Sequence, residues 1–236
     1  MKMNIFIAVM VFAYPLLFCG EASMTLHLMP KPEQLVWEQG QYRLQENFTI
    51  SVSGSSPRLY DAATRTLRRL SGRTGLFFPQ DVVSPALSPE ASCMIKAERI
   101  GKLQLNEDES YSLTINPQAI LLAANTDIGA LRGLETLLQL LACDDNGYFF
   151  PAVSIQDKPR FPWRGLMIDV ARHWQPMEVI KRNLDGMAAV KMNVLHLHLT
   201  EDQGFRIECK AFPKLHEMGS DGDYFTHEQI REIIDY

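Results

Sequence analysis

The chain has 236 residues, of which 46% are hydrophobic and 22% are charged, and its formal net charge is −5. This balance is typical of a globular protein and argues against extended disorder, while the lack of a basic tract argues against nucleic-acid binding. The sequence contains no glycine-rich phosphate loop, so we expect no nucleotide cofactor.

The first residues predict export. Lys2 precedes an apolar stretch over residues 5–18, which is too short to span a membrane and has the length of a signal-peptide core. We expect cleavage after Ala22, so that residues 1–22 form a signal peptide and the protein is periplasmic or extracellular. Lipidation at Cys19 is an alternative, although the bulky Phe18 precedes it, and an uncleaved anchor is a third interpretation.

Residues 23–158 predict a small α+β domain, with one sheet covered by helices. Alternating runs over residues 42–52 predict strands, and apolar residues at helical spacing predict a helix over 58–70. The pattern then predicts a hairpin of two strands, 111–115 and 120–124, around Asn116-Pro117 and a second helix over 127–141. Residues 156–162 form the predicted linker, because two prolines disfavour helix there.

Residues 164–203 predict a strand, a helix and a second strand. Four apolar residues over 166–170 are interrupted only by Asp169, which is typical of a strand buried on both faces. Pro176 suits the start of the helix, and residues 193–199 form the next predicted strand. Such an order predicts a parallel crossover, with polar side chains where each strand ends. This is the pattern of the carboxyl-terminal mouth of a (β/α)8 barrel.

Three segments in this part of the chain carry a specific pattern: RGLMIDVARHW at residues 164–174, KMNVLHLHLTEDQGFRIE at 191–208 and FPKLHEMGS at 212–220. They resemble the start of the catalytic domain of glycoside hydrolase family 20, the β-N-acetylhexosaminidases. Two earlier segments, LMPKPEQLVWEQGQYRL at 28–44 and ESYSLTINPQAILLAANTDIGALRGLETLLQLL at 109–141, resemble the small domain that precedes that barrel.

The resemblance implies an α+β N-terminal domain followed by the first part of a (β/α)8 TIM barrel, which begins here at residues 159–236. It implies retaining hydrolysis of terminal N-acetylhexosamine residues, in which the 2-acetamido oxygen of the substrate attacks the anomeric carbon. The implied partners are carbohydrates ending in N-acetylglucosamine or N-acetylgalactosamine, including chitin oligosaccharides. No metal or organic cofactor is implied.

In this family an Asp orients the acetamide and the adjacent Glu is the general acid, and both lie late in the barrel. The only Asp-Glu dipeptide of the chain is Asp108-Glu109, which we interpret as a solvated turn of the small domain. We therefore assign no catalytic residue within the chain and expect the pair beyond Tyr236. A complete barrel needs about 250 residues, so we expect a fragment or a truncated product that is inactive alone. A non-catalytic remnant that binds sugar weakly is the alternative function.

The resemblance also assigns binding residues. Arg172 matches the family arginine that clamps the C3 and C4 hydroxyls of the sugar, and a guanidinium suits this role because it holds five N–H donors in a fixed fork. Glu201 matches a family acid that is often Asp. The predicted supporting residues, including two neighbours that orient Arg172, are Asp169, His173, Trp174, His198 and Asp202.

Each assignment has a structural alternative. The alternative for Arg172 is a salt-bridged arginine at a strand end, because ion pairs that are buried or lie at interfaces favour arginine. His196 and His198 share one face of their strand and are candidate zinc ligands, but a zinc site needs three or four ligands and no third is evident. Three aromatic residues are candidates either for sugar stacking or for the core, Trp174 being the best placed for stacking: Trp163, Trp174 and Phe205.

Three cysteines remain after the predicted cleavage, namely Cys93, Cys143 and Cys209. Because three is odd, at least one is unpaired within the chain. A Cys93–Cys143 bridge stays open, since sequence does not set the distance between them. Buried free thiols are the favoured interpretation for most of the three.

Overall fold

The computed structural model describes residues 28–54, 56–78, 83–84 and 90–236. The predicted signal peptide and Cys19 lie outside these residues. Within them, none of the helices combines the length and the apolar character needed to cross a lipid bilayer.

The first part of the chain forms an eight-stranded mixed sheet, in which seven strands follow the order β1-β8-β5-β6-β4-β2-β3 and β7 pairs with β8. Two helices, α1 (Pro57–Thr74) and α2 (Asp127–Gln139), accompany it. The strands are β1 (Gln34–Arg43), β2 (Ile50–Ser53), β3 (Val83–Ser84), β4 (Cys93–Arg99), β5 (Tyr111–Ile115), β6 (Ile120–Thr126), β7 (Ala142–Asp144) and β8 (Gly147–Asp157).

The helices pack on one face of this sheet. Residues of β6 alternate strictly between buried and exposed, as expected for a strand with one solvated face. Both helices begin with a side-chain cap, in which Ser56 accepts from the backbone N–H of Leu59 and Thr126 accepts from that of Gly129. Helix α1 ends at Gly75, whose φ of 73° is the left-handed conformation that favours glycine.

The predicted hairpin is confirmed, and several predicted boundaries are wrong. β5 and β6 pair antiparallel around a turn in which the Asn116 side chain accepts two backbone N–H groups. The first strand begins at Gln34 rather than at residue 42, and α1 continues to Thr74 rather than ending at residue 70. The predicted linker begins too early, because Gln156 and Asp157 still pair with β5 within β8.

Helix α2 lies unusually close to the sheet at Gly133. A Cβ at this position would overlap the Leu122 side chain and would stand 3.0 Å from Tyr111 Cδ2. A Cβ at Gly186, in the helix α3 (Met177–Ala189), would have no atom within 4 Å among the described residues outside its own helix backbone. A side chain at residue 133 would therefore force the buried Leu122 side chain to move.

Replacing Gly133 with alanine is therefore expected to lower the free energy of unfolding by about 1–3 kcal/mol, the usual result of overpacking a core. The matched change Gly186→Ala is expected to raise it by about 0.5–1 kcal/mol, because alanine has the higher helix propensity. Urea unfolding of both variants measures the two changes. If both substitutions stabilised the chain, the close approach of α2 to the sheet would be wrong.

The second part of the chain contains two parallel strands joined by α3, as predicted. Strand β9 (Gly165–Asp169) pairs in register with β10 (Val194–His198). A short antiparallel hairpin and two helices follow: β11 (Thr200–Glu201), β12 (Gly204–Phe205), α4 (Lys214–Gly219) and α5 (His227–Asp235).

The expectation that β9 is buried on both faces is wrong for this chain. Leu195, Leu197 and Ile168 pack partly against the small core formed with α3 and α5, but Met167 on the opposite face is 57% exposed. Its register partner His196 is exposed as well. No other described element covers this face, so its apolar residues remain in contact with solvent.

Candidate functional site

The candidate site lies where β9 and β10 end. The parallel register places Asp169 directly opposite His198, each as the last residue of its strand. Backbone N–H groups of Val170 and Ala171 both donate to the His198 carbonyl, which joins the chain after β9 to the end of β10. This local geometry brings the segment that carries Arg172 next to the segment that carries Glu201.

Four side chains meet there, and we call them the strand-end cluster: Asp169, Arg172, His198 and Glu201. The Arg172 guanidinium binds the Asp169 carboxylate through Nη1 and the Glu201 carboxylate through Nη2, the second at 2.9 Å. The same Glu201 oxygen, Oε1, lies 2.9 Å from His198 Nε2. Asp169 also accepts the backbone N–H of Arg172 at 3.1 Å. One arginine is thus held by two carboxylates, one at the end of β9 and one in β11, shortly after the end of β10.

The cluster remains open to solvent. The Arg172 side chain is 53% exposed, and its contacts with the described residues engage two of the five N–H donors that a guanidinium carries. Its two carboxylate partners limit its rotamers without covering it. The arrangement can therefore present fixed donors to a ligand that carries neighbouring hydroxyl groups.

The electrostatics of the cluster favour its charged state. The backbone N–H of Arg172, followed by its guanidinium, lowers the pKa of Asp169, against the opposing effect of desolvation. The hydrogen bond to Asp169 and the charge of Glu201 raise the pKa of Arg172 above its usual value. The ion pair is accordingly intact at neutral pH.

Acid is expected to release Arg172. Because the folded-state pKa of Asp169 lies below its ordinary value of about 3.9, the contribution of this carboxylate to stability is fully present above that value and is lost as the pH falls through the lowered pKa. NMR titration of the Asp169 carboxyl carbon measures the pKa directly. Arg172→Gln should move it part of the way back, since the backbone donor remains; an unchanged pKa would contradict the ion pair.

Comparison with known proteins identifies the family. The family model described as "Glycosyl hydrolase family 20, domain 2" matches residues 25–158, and the one described as "Glycosyl hydrolase family 20, catalytic domain" matches residues 161–236. The chain belongs to glycosyl hydrolase family 20.

Relatives of this family 20 chain share both of its parts. A β-hexosaminidase of Porphyromonas gingivalis is 39% identical over 232 residues, which is 92% of this chain and 29% of the relative. The crystal structure of a Flavobacterium johnsoniae chitobiase is 50% identical with a TM-score of 0.85, covering 89% of this chain and 32% of that one. An exo β-N-acetylglucosaminidase of Vibrio harveyi, solved in complex with N-acetylglucosamine, is 28% identical with a TM-score of 0.71, covering 88% and 34%.

The family 20 relatives are much longer than this chain. The chain spans about a third of the length of the curated relatives it matches, with shares of 36%, 39% and 32% for three β-hexosaminidases.

Three residues that we predicted as supporting groups lie differently from expectation. His173 is exposed and makes no hydrogen bond to Arg172 among the described residues, so the prediction that it orients the arginine is wrong. Asp202 is exposed and joins none of the ion pairs of the cluster. Trp174 is part-buried against Phe225, with ring centroids 4.5 Å apart and an interplanar angle of 43°. Trp174 therefore packs against the small core, as in the structural alternative to sugar stacking.

The structure also places the other aromatic residues, the two histidines of β10 and the three cysteines. Trp163 is 57% exposed and Phe205 is half-buried. His196 and His198 do share one strand face, yet no group of three or more metal-binding side chains occurs among the described residues.

Of the cysteines, Cys93 is buried, Cys209 is half-buried and Cys143 is exposed, and all three are free thiols. Burial raises the pKa of Cys93 to about 12.

Arg206 is a structural residue of the site that sequence reasoning missed. Its side chain is buried and donates to the carbonyl oxygens of Ala171, Ser220 and Asp223, the first at 3.3 Å and the last at 3.2 Å. A Cβ at Gly204 would stand 2.7 Å from the Ala171 oxygen, so the β11–β12 hairpin packs directly on the chain before Arg172. The sequence offers only one hint of this packing, namely Gly204 two residues before Arg206. That spacing does not indicate which carbonyl oxygens Arg206 binds.

The Asp108-Glu109 pair is a structural feature, although Glu109 is not the solvated residue that we expected. Asp108 Oδ1 accepts the Ser110 hydroxyl at 2.5 Å, and its other oxygen accepts the Asn125 amide at 2.7 Å. Glu109 is buried and binds Arg132 at 2.6 Å and Arg164 at 2.5 Å. The Glu109 carboxylate can be buried here because two arginines supply its counter-charge and its hydrogen bonds.

Proposed function

We propose that the protein carrying this chain is a β-N-acetylhexosaminidase that removes terminal N-acetylhexosamine residues from glycans or chitin oligosaccharides. The observation that carries the proposal is the half-exposed Arg172, held by Asp169 at the carboxyl end of β9 and by Glu201, which follows the end of β10 by three residues. Functional residues of barrel enzymes lie at this end of the strands. The family and the names of the relatives support the same activity.

In this proposal, β9, α3 and β10 are the first elements of a (β/α)8 barrel, and the small α+β layer supports them. Arg172 donates hydrogen bonds to the C3 and C4 hydroxyls of the terminal sugar, while Asp169 and Glu201 fix the plane of its guanidinium. Fixing the donors in advance lowers the entropy lost on binding. His198 orients Glu201 through the contact between Nε2 and Oε1.

The chemistry follows from the resemblance and from the substrate. The 2-acetamido oxygen attacks the anomeric carbon while a general-acid Glu protonates the departing oxygen, and water then opens the cyclic intermediate with retention of configuration. The acid and the Asp that orients the acetamide belong, in this proposal, to a segment of the protein that follows residue 236. The residues of this chain bind and orient the sugar.

The decisive test begins with the coding DNA after the Tyr236 codon. The product of the longest open frame is then assayed with 4-nitrophenyl N-acetyl-β-D-glucosaminide and the matching galactosaminide. The matched control is 4-nitrophenyl β-D-glucoside, which lacks the acetamide and should not be hydrolysed. NMR of the first product should show the β-anomer. Equal hydrolysis of the glucoside would contradict substrate assistance, and absence of hydrolysis of every substrate would contradict the activity.

A second candidate function is weak sugar binding without catalysis. It is favoured by one observation, namely that the half-exposed Arg172, held by Asp169 and Glu201, can bind sugar hydroxyls without a catalytic acid. A stop codon directly after residue 236, together with N-acetylglucosamine binding that Arg172→Ala abolishes, would support it over hydrolysis.

A further inference from the structure

A second concave site lies at the opposite ends of the two barrel strands. It is a cavity of about 210 Å³ between the small α+β layer and the segments that precede β9 and β10, and we call it the junction cavity. Arg164 comes directly before β9, and Lys191 comes three residues before β10. The strand-end cluster begins at the other end of the same strands, so the two sites are separate.

The junction cavity is strongly cationic. Six basic side chains line it against two acidic ones, an excess of four positive charges: Lys31, Arg132, Lys158, Arg160, Arg164 and Lys191 against Glu109 and Asp157. Part of the remaining wall is apolar, formed by Pro30, Pro159 and Phe161. An apolar wall lowers the local dielectric constant and so strengthens the attraction for an anion.

Both acids of the cavity are already engaged. Glu109 Oε2 binds Arg132 at 2.6 Å and Arg164 at 2.5 Å. Asp157 Oδ2 binds Lys191 at 3.1 Å and accepts the Tyr111 hydroxyl at 2.8 Å. Two carboxylates therefore face three buried cations. Lys158 pairs with Glu33 at 3.5 Å, so the exposed cations that add to the imbalance are Lys31 and Arg160.

Burial makes this imbalance costly. The side chains of Arg132 and Arg164 are each 15% exposed, and that of Lys191 is 6% exposed. Desolvation is the largest effect and lowers the pKa of Lys191. Asp157 opposes it through its charge and its hydrogen bond, the charge of Arg132 lowers the pKa further, and the charge of Glu135 raises it. A buried positive charge that exceeds its counter-charges is stabilised by any anion that can reach it.

The mouth of the cavity offers donors suited to an oxyanion. Arg160 and Lys31 are both exposed, and Arg160 Nη2 donates to the backbone carbonyl of Lys31 at 3.2 Å, which places the guanidinium beside the backbone of residue 31. A guanidinium binds oxyanions through parallel N–H groups, and an ammonium adds a point charge. Both residues line the same cavity as the buried Arg132, Arg164 and Lys191.

We propose that the junction cavity binds a small oxyanion, a phosphate or carboxylate group, between the small domain and the start of the barrel. The anion contacts Arg160 and Lys31 at the mouth and compensates the buried Arg132, Arg164 and Lys191. Because these cations belong to both parts of the chain, the bound anion holds the two parts together. It stabilises the folded chain by mass action and takes no part in the proposed hydrolysis.

Calorimetric titration of the 236-residue chain with sodium phosphate, and separately with sodium acetate, tests the proposal at an ionic strength held constant with sodium chloride. Saturable binding of phosphate alone identifies a dianion site, and binding of both identifies a carboxylate-tolerant site. Arg160→Gln and Lys31→Gln should each weaken binding about tenfold, the effect of losing one charge-assisted hydrogen bond. The thermal midpoint should rise with phosphate in the unmodified chain and much less in Arg160→Gln.

Lys96→Gln is the matched control for Lys31→Gln, because Lys96 is an exposed lysine paired with Glu98 on β4, outside the cavity. It removes the same charge and should leave phosphate affinity unchanged. The proposal is overturned if neither anion binds or shifts the thermal midpoint beyond the effect of chloride, or if Lys96→Gln weakens binding as much as the cavity variants. These results are independent of whether the longer protein hydrolyses hexosaminides.

Discussion

Arg172→Ala is expected to lower kcat/KM for 4-nitrophenyl N-acetyl-β-D-glucosaminide by about two to four orders of magnitude in the product of the longest open frame. Each hydrogen bond to a charged group contributes about 1.5–3 kcal/mol, and the clamp in our proposal makes at least two. The loss should appear in both kcat and KM, because a sugar that is not held at its hydroxyls also positions its acetamide poorly. Steady-state kinetics of the purified variant measure both constants.

Two further variants make this result specific. Arg172→Lys keeps the charge but loses the planar fork, so it should recover only a small part of the activity. Arg182→Ala removes an exposed arginine of α3 by the same substitution and should leave kcat/KM unchanged. Kinetics for Arg172→Ala equal to those of Arg182→Ala would eliminate the assignment of Arg172 as the sugar clamp and leave it as a salt-bridged arginine at a strand end.

Glu109→Ala is expected to lower the free energy of unfolding by about 3–5 kcal/mol, the usual cost of removing one partner from a buried ion pair. The Glu109 side chain is 9% exposed and binds Arg132 of α2 and Arg164 ahead of β9. Its removal leaves two buried guanidinium groups facing each other without a counter-charge. Urea unfolding of the 236-residue chain, followed by circular dichroism, measures the loss.

The chain offers a matched surface pair as the control. Glu98 pairs with Lys96 at 2.9 Å, and these side chains are 60% and 54% exposed. Glu98→Ala should therefore cost less than about 1 kcal/mol, because exposed ion pairs contribute little. Glu109→Gln, which keeps an acceptor and removes the charge, should fall between the two alanine variants. Equal losses for Glu98→Ala and Glu109→Ala would show that the buried bridge adds nothing to stability.

Local features of the sequence were sufficient for several elements of the fold. The β5–β6 hairpin was predictable because Asn116 and Pro117 favour a turn between two apolar alternating runs, and the structure has that turn. The β9–α3–β10 unit was predictable because a near-continuous apolar run and an alternating run flank a segment whose apolar residues recur at helical spacing. The end of β8 was not predictable from the local sequence, because residues 156 and 157 belong to the strand only through their pairing with β5.

For the candidate site too, the sequence indicated some features and not others. Alternation along β10 placed His196 and His198 on one face, and the polar residues at the strand ends marked the positions of Asp169 and Arg172. Sequence could not indicate that Trp174 packs on Phe225, which lies 51 residues further along the chain. It also could not identify Arg206 as a buried residue, because burial depends on which segments fold over a side chain.

By itself, the sequence determined the family, the order of the elements and the identity of the residues at the strand ends, because these depend on residue types and on spacing within short segments. Only the tertiary structure decided that Glu109 bridges two buried arginines and that basic residues from distant segments line one cavity. The reason is physical. Pairing and burial are relations between residues far apart in sequence, and their energies arise only when the folded chain removes both partners from water.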